Sequence, residues 1–234
     1  MLHPHAYSPL SVRAAHIVLA APDWAAQYDA GRLSASAQQQ AARRHSAKAQ
    51  QDWQVSRALL QAVPLTPNTA YALSHSHGHA ALFHAADPTM RLGVDLERIK
   101  PRQTLALAEG CCSAAEYAYL ARLDEAMRLL AFYRLWTLKE ALLKATGLAF
   151  PADLRRVGWG LQSGAAKPTV RVDDGSDRRW HAYSAILANE WALAAVWLPE
   201  PHQPVSIDLT AFGDAVALLP PQNPVFWYGS GKLE

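Results

Sequence analysis

The sequence predicts an α+β fold built from two similar halves, and three observations favour this class. Half of the 234 residues are hydrophobic and 18% are charged, so the chain can bury a sizeable core and is not disordered as a whole. Segments with helical periodicity and segments with strand alternation occur in both halves, in a similar order. A seam falls near residues 98–105, so we predict an N-terminal subdomain over 1–102 and a C-terminal subdomain over 103–234.

The first half is predicted to contain a strand, a long helix and three further strands. The apolar run Ile17–Ala21 suits a buried strand and is too short for a signal sequence or a membrane span. The segment Ser34–Ala62 is rich in Ala and Gln, which are good helix formers, and predicts one helix. Residues 69–85 predict two strands separated by a turn at Gly78, and residues 90–99 predict a third strand.

The second half is predicted to begin with helices and to end with strands. Ser113 followed by Glu116 is typical of a capping box, and a longer helix is predicted from about Asp124 to Thr146. Four short strands follow, and the last two are joined by a hairpin turn at Asn189-Glu190. From Pro199 onward we expect a Pro-rich tail that lies over the surface, with residues 226–228 as an aromatic anchor.

Charge and cysteine content exclude several classes of function. The chain has 22 basic and 20 acidic side chains, and a net charge of +2 is too balanced for nonspecific nucleic-acid binding. The two cysteines, Cys111 and Cys112, are adjacent, and because neighbouring cysteines seldom bridge each other, no disulfide framework is implied. We therefore expect a cytoplasmic protein that binds neither nucleic acid nor membrane.

The first candidate site lies in the strand segment Gly93–Glu97. Side chains two residues apart on a strand point to the same side, so Asp95 and Glu97 direct two carboxylates to one place. Hard oxygen ligands at this spacing suit Mg²⁺. The alternative is an exposed strand end in which Arg98 and Lys100 are ion-pair partners of the two acids.

The second candidate site lies in the helix segment Trp136–Lys144. Glu140 and Lys144 are one helical turn apart in the order that favours an ion pair, and a surface ion pair is the simpler interpretation. The surrounding residues are strongly apolar, which indicates partial enclosure. An enclosed Glu and Lys would suit a general base or metal ligand beside a phosphate-binding cation.

The third candidate site is the histidine-rich segment Ser74–His79. Three alternate histidines suggest zinc, but no cysteine or carboxylate lies within the segment and Gly78 interrupts the alternation, which disfavours a zinc site. Contact of one of these histidines with a phosphate group fits the segment better than a zinc site does. A mild excess of basic residues before Gln61, which includes Arg44 and Arg57, could also meet an anionic ligand.

Taken together, these segments resemble the 4'-phosphopantetheinyl transferase family, in particular its larger Sfp-type branch. The family's strand pattern (G)-[VI]-D-[IVL]-E is complete as Gly93–Glu97, and its helix pattern W-[ST]-x-K-E-[AS]-x-x-K is complete as Trp136–Lys144. The S-H-S segment precedes both, and the resemblance extends from about Ala70 to Pro151. It implies two similar α+β subdomains related by pseudo-twofold symmetry.

The resemblance also implies an activity and a set of site residues. Such enzymes move the phosphopantetheine arm of coenzyme A to a serine of an acyl or peptidyl carrier protein and release adenosine 3',5'-bisphosphate. By resemblance, Asp95, Glu97 and Glu140 would hold Mg²⁺ against the pyrophosphate, and Glu140 or a water that it orients would accept the proton of the serine. Lys144 would bind the pyrophosphate and assist the leaving group. The coenzyme A contacts would also include Ser74, His75, Arg57 and Arg44.

The chain departs from the family in its first half. Gln38–Gln40 and Gln61 stand where members often carry basic residues, and no Gly-Lys-Pro segment precedes the S-H-S strand. Two other functions therefore stay open: a Mg²⁺-dependent phosphohydrolase acting on a nucleotide or coenzyme A, and a non-catalytic homologue that binds carrier proteins. A monomer would suffice, and the basic side chains that could meet an acidic carrier are Arg98, Lys100, Arg102, Arg122 and Arg128.

Overall fold

The computed structural model describes residues 13–161, 168–198 and 205–228. Within these ranges the strands are β1 (Arg13–Ala20), β2 (Ala70–Ser76), β3 (His79–Ala85), β4 (Arg91–Arg98), β5 (Val157–Gly160), β6 (Thr169–Val172), β7 (His181–Leu187), β8 (Trp191–Leu198), β9 (Val205–Phe212) and β10 (Gln222–Tyr228). The helices are α1 (Ala35–Ala42), α2 (Ala47–Ala62), α3 (Thr104–Cys111), α4 (Ala114–Ala121) and α5 (Glu125–Thr146). The predicted α+β class is confirmed.

The main strands form two four-stranded sheets. The first sheet has the strand order β2-β3-β1-β9, and the second has the order β10-β7-β8-β4. Strands β5 and β6 form a separate two-stranded ribbon. Pairing is antiparallel throughout these sheets except between β1 and β9, which run parallel. Each sheet therefore has one edge, β2 or β4, that is formed by the first half of the chain.

Apolar side chains stack the sheets and helices in layers. Ile17 in the first sheet and Leu96 in the second belong to a core between the two sheets, because alternate side chains of each strand point to opposite sides. The outer side of the first sheet packs on α2 through Val55 and Leu59. The outer side of the second sheet packs on α5, where Leu138 is fully buried. The pseudo-twofold relation between the halves stays a prediction.

The predicted helix over Ser34–Ala62 is wrong in one respect, because the structure has two helices there. The Ser34 hydroxyl accepts a hydrogen bond from the Ala37 backbone N–H and begins α1, and the Ser46 hydroxyl does the same with Ala49 for α2. A serine at this position satisfies backbone donors that a helix start leaves free. The second serine therefore starts a new helix within a run of good helix formers.

The expected surface tail is also wrong, because residues 205–212 and 222–228 are strands. Strand β9 completes the first sheet beside β1, and β10 completes the second sheet beside β7. Of the predicted aromatic anchor, Trp227 is 4% exposed and packs edge-on against Trp159, whereas Phe226 is exposed. The side chain of Tyr228 lies outside the described part. The tail thus joins both sheets.

Strand pairing also bears on the division of the chain. Strand β4 precedes the predicted boundary at residue 102 but pairs with β8, and β9 follows the boundary but pairs with β1. Each half of the sequence thus contributes a strand to the sheet of the other half. The boundary between residues 102 and 103 stays a prediction.

Helix α5 has the predicted bounds. The Asp124 carboxylate caps its first turn, and Gly147 ends it with a left-handed φ of 78°, a backbone conformation that glycine adopts without steric cost. The predicted capping box of Ser113 and Glu116 begins α4. The helices of the described residues include none that combines the length and the apolar character needed to span a membrane.

Candidate active site

The edge strands β2 and β4 meet, and two serines of β2 hold the two carboxylates of β4. The Ser74 hydroxyl donates a hydrogen bond to Asp95 Oδ1 at 2.9 Å. Two residues further along both strands, the Ser76 hydroxyl donates to Glu97 Oε2 at 3.0 Å. Asp95 and Glu97 thus lie on the same side of β4, as predicted, and the two serines lie on the same side of β2. Each serine donates to one oxygen of its carboxylate and makes no hydrogen bond to the other oxygen.

Gly93 lets β4 approach α5 closely enough to build the site. A Cβ at this position would lie 2.0 Å from the backbone oxygen of Ala141 and 3.0 Å from the Ala145 Cβ. Real Cβ contacts do not occur at such distances, so only glycine permits this approach. The same close packing places Asp95 beside the helix face that carries Glu140 and Lys144.

Lys144 joins the helix to both edge strands. Its ammonium donates to Asp95 Oδ1 at 2.8 Å, to the Ser74 hydroxyl at 3.1 Å and to the Val94 backbone oxygen at 2.9 Å. The Asp95 side chain is 7% exposed, whereas that of Lys144 is 36% exposed. The ammonium can therefore hold the carboxylate and still reach solvent. It is not a simple surface pair with Glu140.

The three predicted metal ligands repel one another. Burial raises the pKa of Glu97, and the neighbouring charge of Asp95 raises it further, against the hydrogen bond from Ser76 and the charges of Lys144 and Arg102. Burial also raises the pKa of Glu140, and Asp95 and Glu97 add to the increase while Lys144 opposes it. A cation between such carboxylates would relieve this repulsion.

The donor chemistry of this group fits a hard cation. Asp95 Oδ2 is buried and has no hydrogen-bond partner, so one carboxylate oxygen is available to a ligand. Carboxylate oxygens are the ligands that Mg²⁺ prefers. No set of three or more His, Cys, Asp or Glu side chains is already arranged around a common metal position in the described ranges. Assembly of Asp95, Glu97 and Glu140 around one ion is therefore a proposal.

The predicted basic contacts Arg44 and Arg57 lie together at the ring of Trp53 in α2. The guanidinium carbons of Arg44 and Arg57 lie 4.0 Å and 4.1 Å from the ring centroid of buried Trp53. Desolvation by surrounding protein atoms lowers the pKa of His75, and the charges of Lys144, Arg44 and Arg57 lower it further, while Asp52 opposes them. The structure thus brings Arg44, Arg57 and His75 together with Lys144.

Gln61, a neutral residue near the end of α2, makes structural contacts within the chain. Its side-chain amide donates to the backbone oxygen of Asp29 at 2.8 Å and accepts from the backbone N–H of Asp29 at 3.1 Å. Arg32 donates to the Gln61 backbone oxygen at 3.1 Å. This residue therefore fixes the segment before α1.

An apolar cavity of about 170 Å³ opens beside Glu97. Arg102 lies at its wall and donates to the Tyr133 hydroxyl at 3.0 Å. The lining residues are Glu97, Arg102, Leu107, Phe132, Tyr133 and Trp136. The cavity therefore adjoins the carboxylate group at Glu97, which is the one of the three carboxylates that lines it.

A buried ion pair that the sequence analysis missed anchors α5. Lys139 and Glu116 are both fully buried, and the Lys139 ammonium donates to Glu116 Oε2 at 2.8 Å and to the backbone oxygens of Leu154 and Val157. All three ammonium protons are thus used. The opposite carboxylate oxygen, Glu116 Oε1, accepts from the Trp159 backbone N–H at 2.8 Å.

The position of Lys139 could have been found from helix periodicity. Leu135, Leu138 and Leu142 mark the buried side of α5, and Lys139 lies four residues after the first of them, on the same side. Consecutive helical residues point about 100° apart. Lys139 therefore fixes the rotation of α5 from the buried side, and Glu140 is directed toward β4.

The basic residues considered for docking have partners within the chain. Arg98 pairs with Glu190 at 3.1 Å, and Arg128 donates to the backbone oxygens of Leu120 and Leu123. Arg122 donates to the Ala118 backbone oxygen at 3.2 Å. These contacts fix local structure and do not identify a binding surface.

Fold and site together define an α+β protein in which carboxylates and a lysine lie beside a cluster of basic side chains, an arrangement suited to a phosphate-containing ligand. Residues 91–196 match the model of the 4'-phosphopantetheinyl transferase superfamily. The match includes both complete motifs and confirms the resemblance predicted from the sequence. Over these residues the chain is similar to that superfamily.

Curated relatives carry the same family name. The chain is similar to 4'-phosphopantetheinyl transferase HetI of Nostoc sp., with 40% identity over 78 residues, or 33% of this chain and 32% of the relative. Similarity to L-aminoadipate-semialdehyde dehydrogenase-phosphopantetheinyl transferase of Mus musculus is 25% over 199 residues, or 69% of this chain and 62% of the relative. For 4'-phosphopantetheinyl transferase Sfp of Bacillus subtilis it is 31% over 93 residues, or 39% and 40%.

The matches are partial in length. The chain spans from 32% to 62% of the length of the first curated relatives. Among solved structures, holo-[acyl-carrier-protein] synthase of Thermotoga maritima matches 47% of this chain and 62% of that chain, with 21% identity and a TM-score of 0.36.

Proposed function

We propose that this protein transfers the 4'-phosphopantetheine arm of coenzyme A to a serine of an acyl or peptidyl carrier protein and releases adenosine 3',5'-bisphosphate. The observation that carries the proposal is the contact of Lys144 with Asp95 and Ser74, because it joins both family motifs and the S-H-S strand in one site. The superfamily match over residues 91–196 supports the same assignment.

The reaction is a displacement at phosphorus. The serine oxygen of the carrier forms a bond to the phosphorus that bears the pantetheine arm, and the bond from that phosphorus to the oxygen of adenosine 3',5'-bisphosphate breaks. The proton of the serine passes to Glu140 or to a water that Glu140 orients. Lys144 supplies positive charge where negative charge develops on the departing phosphate.

Asp95, Glu97 and Glu140 would hold Mg²⁺ at the pyrophosphate. When bound, the ion neutralises phosphate charge and polarises the phosphoryl oxygen. The free oxygen of Asp95 and the mutual repulsion of the carboxylates support this role. Ser74 and Ser76 orient Asp95 and Glu97 in advance through their hydrogen bonds.

The basic cluster would receive the adenosine end of coenzyme A. Arg44, Arg57 and His75 present positive or polar groups to one region, which suits the 3'-phosphate. From the reacting phosphate the pantetheine arm would extend toward the apolar cavity beside Glu97. A cytoplasmic location and a monomeric state stay predictions.

The test is incubation of the purified protein with coenzyme A, Mg²⁺ and a panel of apo carrier proteins, followed by mass spectrometry of each carrier. The proposal predicts that at least one carrier gains the mass of one phosphopantetheine arm. Release of nucleotide or cleavage of coenzyme A without any gain on a carrier would instead establish the phosphohydrolase. Absence of any reaction, with tight carrier binding, would establish the non-catalytic homologue.

A further inference from the structure

His77 lies in a tight turn that most sequences fill with other residues. Ser76 pairs with His79 across the β2–β3 hairpin, so His77 and Gly78 form a two-residue turn. Both have left-handed backbones, with φ of 50° and 76°. This turn type favours Asn-Gly, Asp-Gly or Gly-Gly, so a histidine at its first position calls for an explanation.

The turn is anchored so that the imidazole has a defined position. The Gly78 backbone N–H donates to Asp52 Oδ1 at 2.5 Å, and Lys48 donates to the other oxygen of the same carboxylate at 2.9 Å. A Cβ at Gly78 would lie 3.0 Å from the Pro22 side chain. The hairpin tip is therefore held against α2.

The ring of His77 joins a chain of hydrogen bonds that ends on a carboxylate. Lys100 Nζ lies 2.6 Å from His77 Nε2, and His77 Nδ1 lies 2.9 Å from the Ser76 hydroxyl oxygen. The Ser76 hydroxyl in turn lies 3.0 Å from Glu97 Oε2. Four side chains from β2, β4 and the segments that follow them are thus connected in a row.

Only one direction of donation satisfies every contact in this row. An ionised carboxylate only accepts and an ammonium only donates, so the Ser76 proton points to Glu97 and a Lys100 proton points to Nε2. Nδ1 must then carry the proton that Ser76 accepts. Burial and the charge of Lys100 both lower the pKa of His77, in agreement with a neutral ring.

We propose that His77 is a positioning residue, which as the neutral Nδ1–H tautomer links Lys100 to Ser76 and fixes Glu97 so that Oε1 remains available to the cation. This role rests on the proposed function. A turn residue chosen only for its backbone would not require a ring, whereas this role needs two ring nitrogens on opposite sides. The departure from the preferred turn residues then has a physical reason.

The first test measures the tautomer directly in the metal-free protein. The chain has ten histidines, so ¹⁵N-histidine spectra are recorded at pH 7 and His77 is assigned by the signal missing from His77→Asn. The Nδ1–H tautomer is expected for the wild-type protein. A protonated ring or the Nε2–H tautomer would overturn the inference and leave the proposed transferase activity standing.

The second test separates the ring from the turn. Asparagine suits a left-handed first turn position, so His77→Asn should keep or raise the thermal midpoint. Loss of such an outer contact typically weakens metal affinity or activity by 10–100-fold, so Mn²⁺ affinity measured by calorimetry without substrate should fall about tenfold. In Lys100→Met, the Nδ1–H and Nε2–H tautomers of His77 should both be populated. In Lys100→Arg, which keeps a cationic donor, the Nδ1–H tautomer should again predominate. Unchanged Mn²⁺ affinity in His77→Asn would overturn the role.

The two proposals fail in different ways. A protein with the expected tautomer and the expected Mn²⁺ loss in His77→Asn, but with no modification of any carrier, would support the positioning role and refute the transferase.

Discussion

Replacement of Gly93 by alanine tests whether close packing of β4 on α5 builds the site. The new Cβ would lie 2.0 Å from the Ala141 backbone oxygen. An ordinary carbon contact is about 3.5 Å, so strand and helix must separate by roughly 1.5 Å. The contacted atom belongs to a buried helix backbone and cannot rotate away. Overpacking typically costs about 1–3 kcal/mol, and we expect a loss of about 3 kcal/mol in the free energy of unfolding.

The assay is urea unfolding followed by circular dichroism, with transferase activity measured on the folded variant. Gly110→Ala is the matched control, because its Cβ would meet nothing within 4 Å and the residue lies in helix α3. That variant should gain about 0.5–1 kcal/mol. Separation of β4 from α5 also moves Asp95 away from Lys144, so activity should fall in Gly93→Ala only. A Gly93→Ala protein as stable and as active as the wild type would refute this reasoning.

Three further predictions address the anchor of the helix, the carboxylates and the basic cluster. Lys139→Met leaves the buried Glu116 carboxylate with only the more distant Arg171, 3.6 Å away, as its counterion and should cost about 3 kcal/mol in urea unfolding, so a loss below 1 kcal/mol would contradict the anchoring role. Because its pKa in the folded protein is raised, Glu140 destabilises the metal-free protein increasingly as pH rises from about 4.5 through that raised pKa. Glu140→Gln should thus be more stable than the wild type at pH 7 in a chelator, with no difference near pH 4; equal stability at both values would show that ionisation of Glu140 is not penalised. Arg57→Gln should lower affinity for coenzyme A about tenfold or more in calorimetry but leave affinity for dephospho-coenzyme A unchanged, since charge-assisted hydrogen bonds contribute about 1.5–3 kcal/mol; an equal loss for both ligands would exclude a 3'-phosphate contact.

Local patterns predicted the elements and the main site residues because each depends on near neighbours. Spacing of two along a strand placed Asp95 and Glu97 on one side, and helix spacing placed Glu140 and Lys144 on one face. Turn residues such as Gly147 marked element ends. These inferences needed no knowledge of which strands pair.

Strand pairing could not be predicted in this way because alternation tells which side of a strand is buried and not which strand lies beside it. Strand β4 pairs with β8 in the second sheet and β9 pairs with β1 in the first, and both pairings join strands that are far apart in the sequence. The same limit hid the role of Ser76, because its contact with Glu97 joins residues 21 positions apart across two sheets. The burial of Lys139 likewise depends on a long-range partner, because Glu116, 23 positions away, offsets the cost of burying its charge.

The most direct measurement is the mass of an apo carrier protein after incubation with coenzyme A and Mg²⁺, with the wild-type protein and Glu140→Ala compared in parallel. Glu140 lies near Lys144 and the β4 carboxylates, and its removal would take away both a proposed metal ligand and the proposed proton acceptor. We predict that the wild-type protein adds one phosphopantetheine arm to the carrier and that Glu140→Ala, folded as judged by circular dichroism, is slower by orders of magnitude. Near-normal transfer by Glu140→Ala, or no transfer by the wild type to any carrier, would contradict the proposed site and reaction.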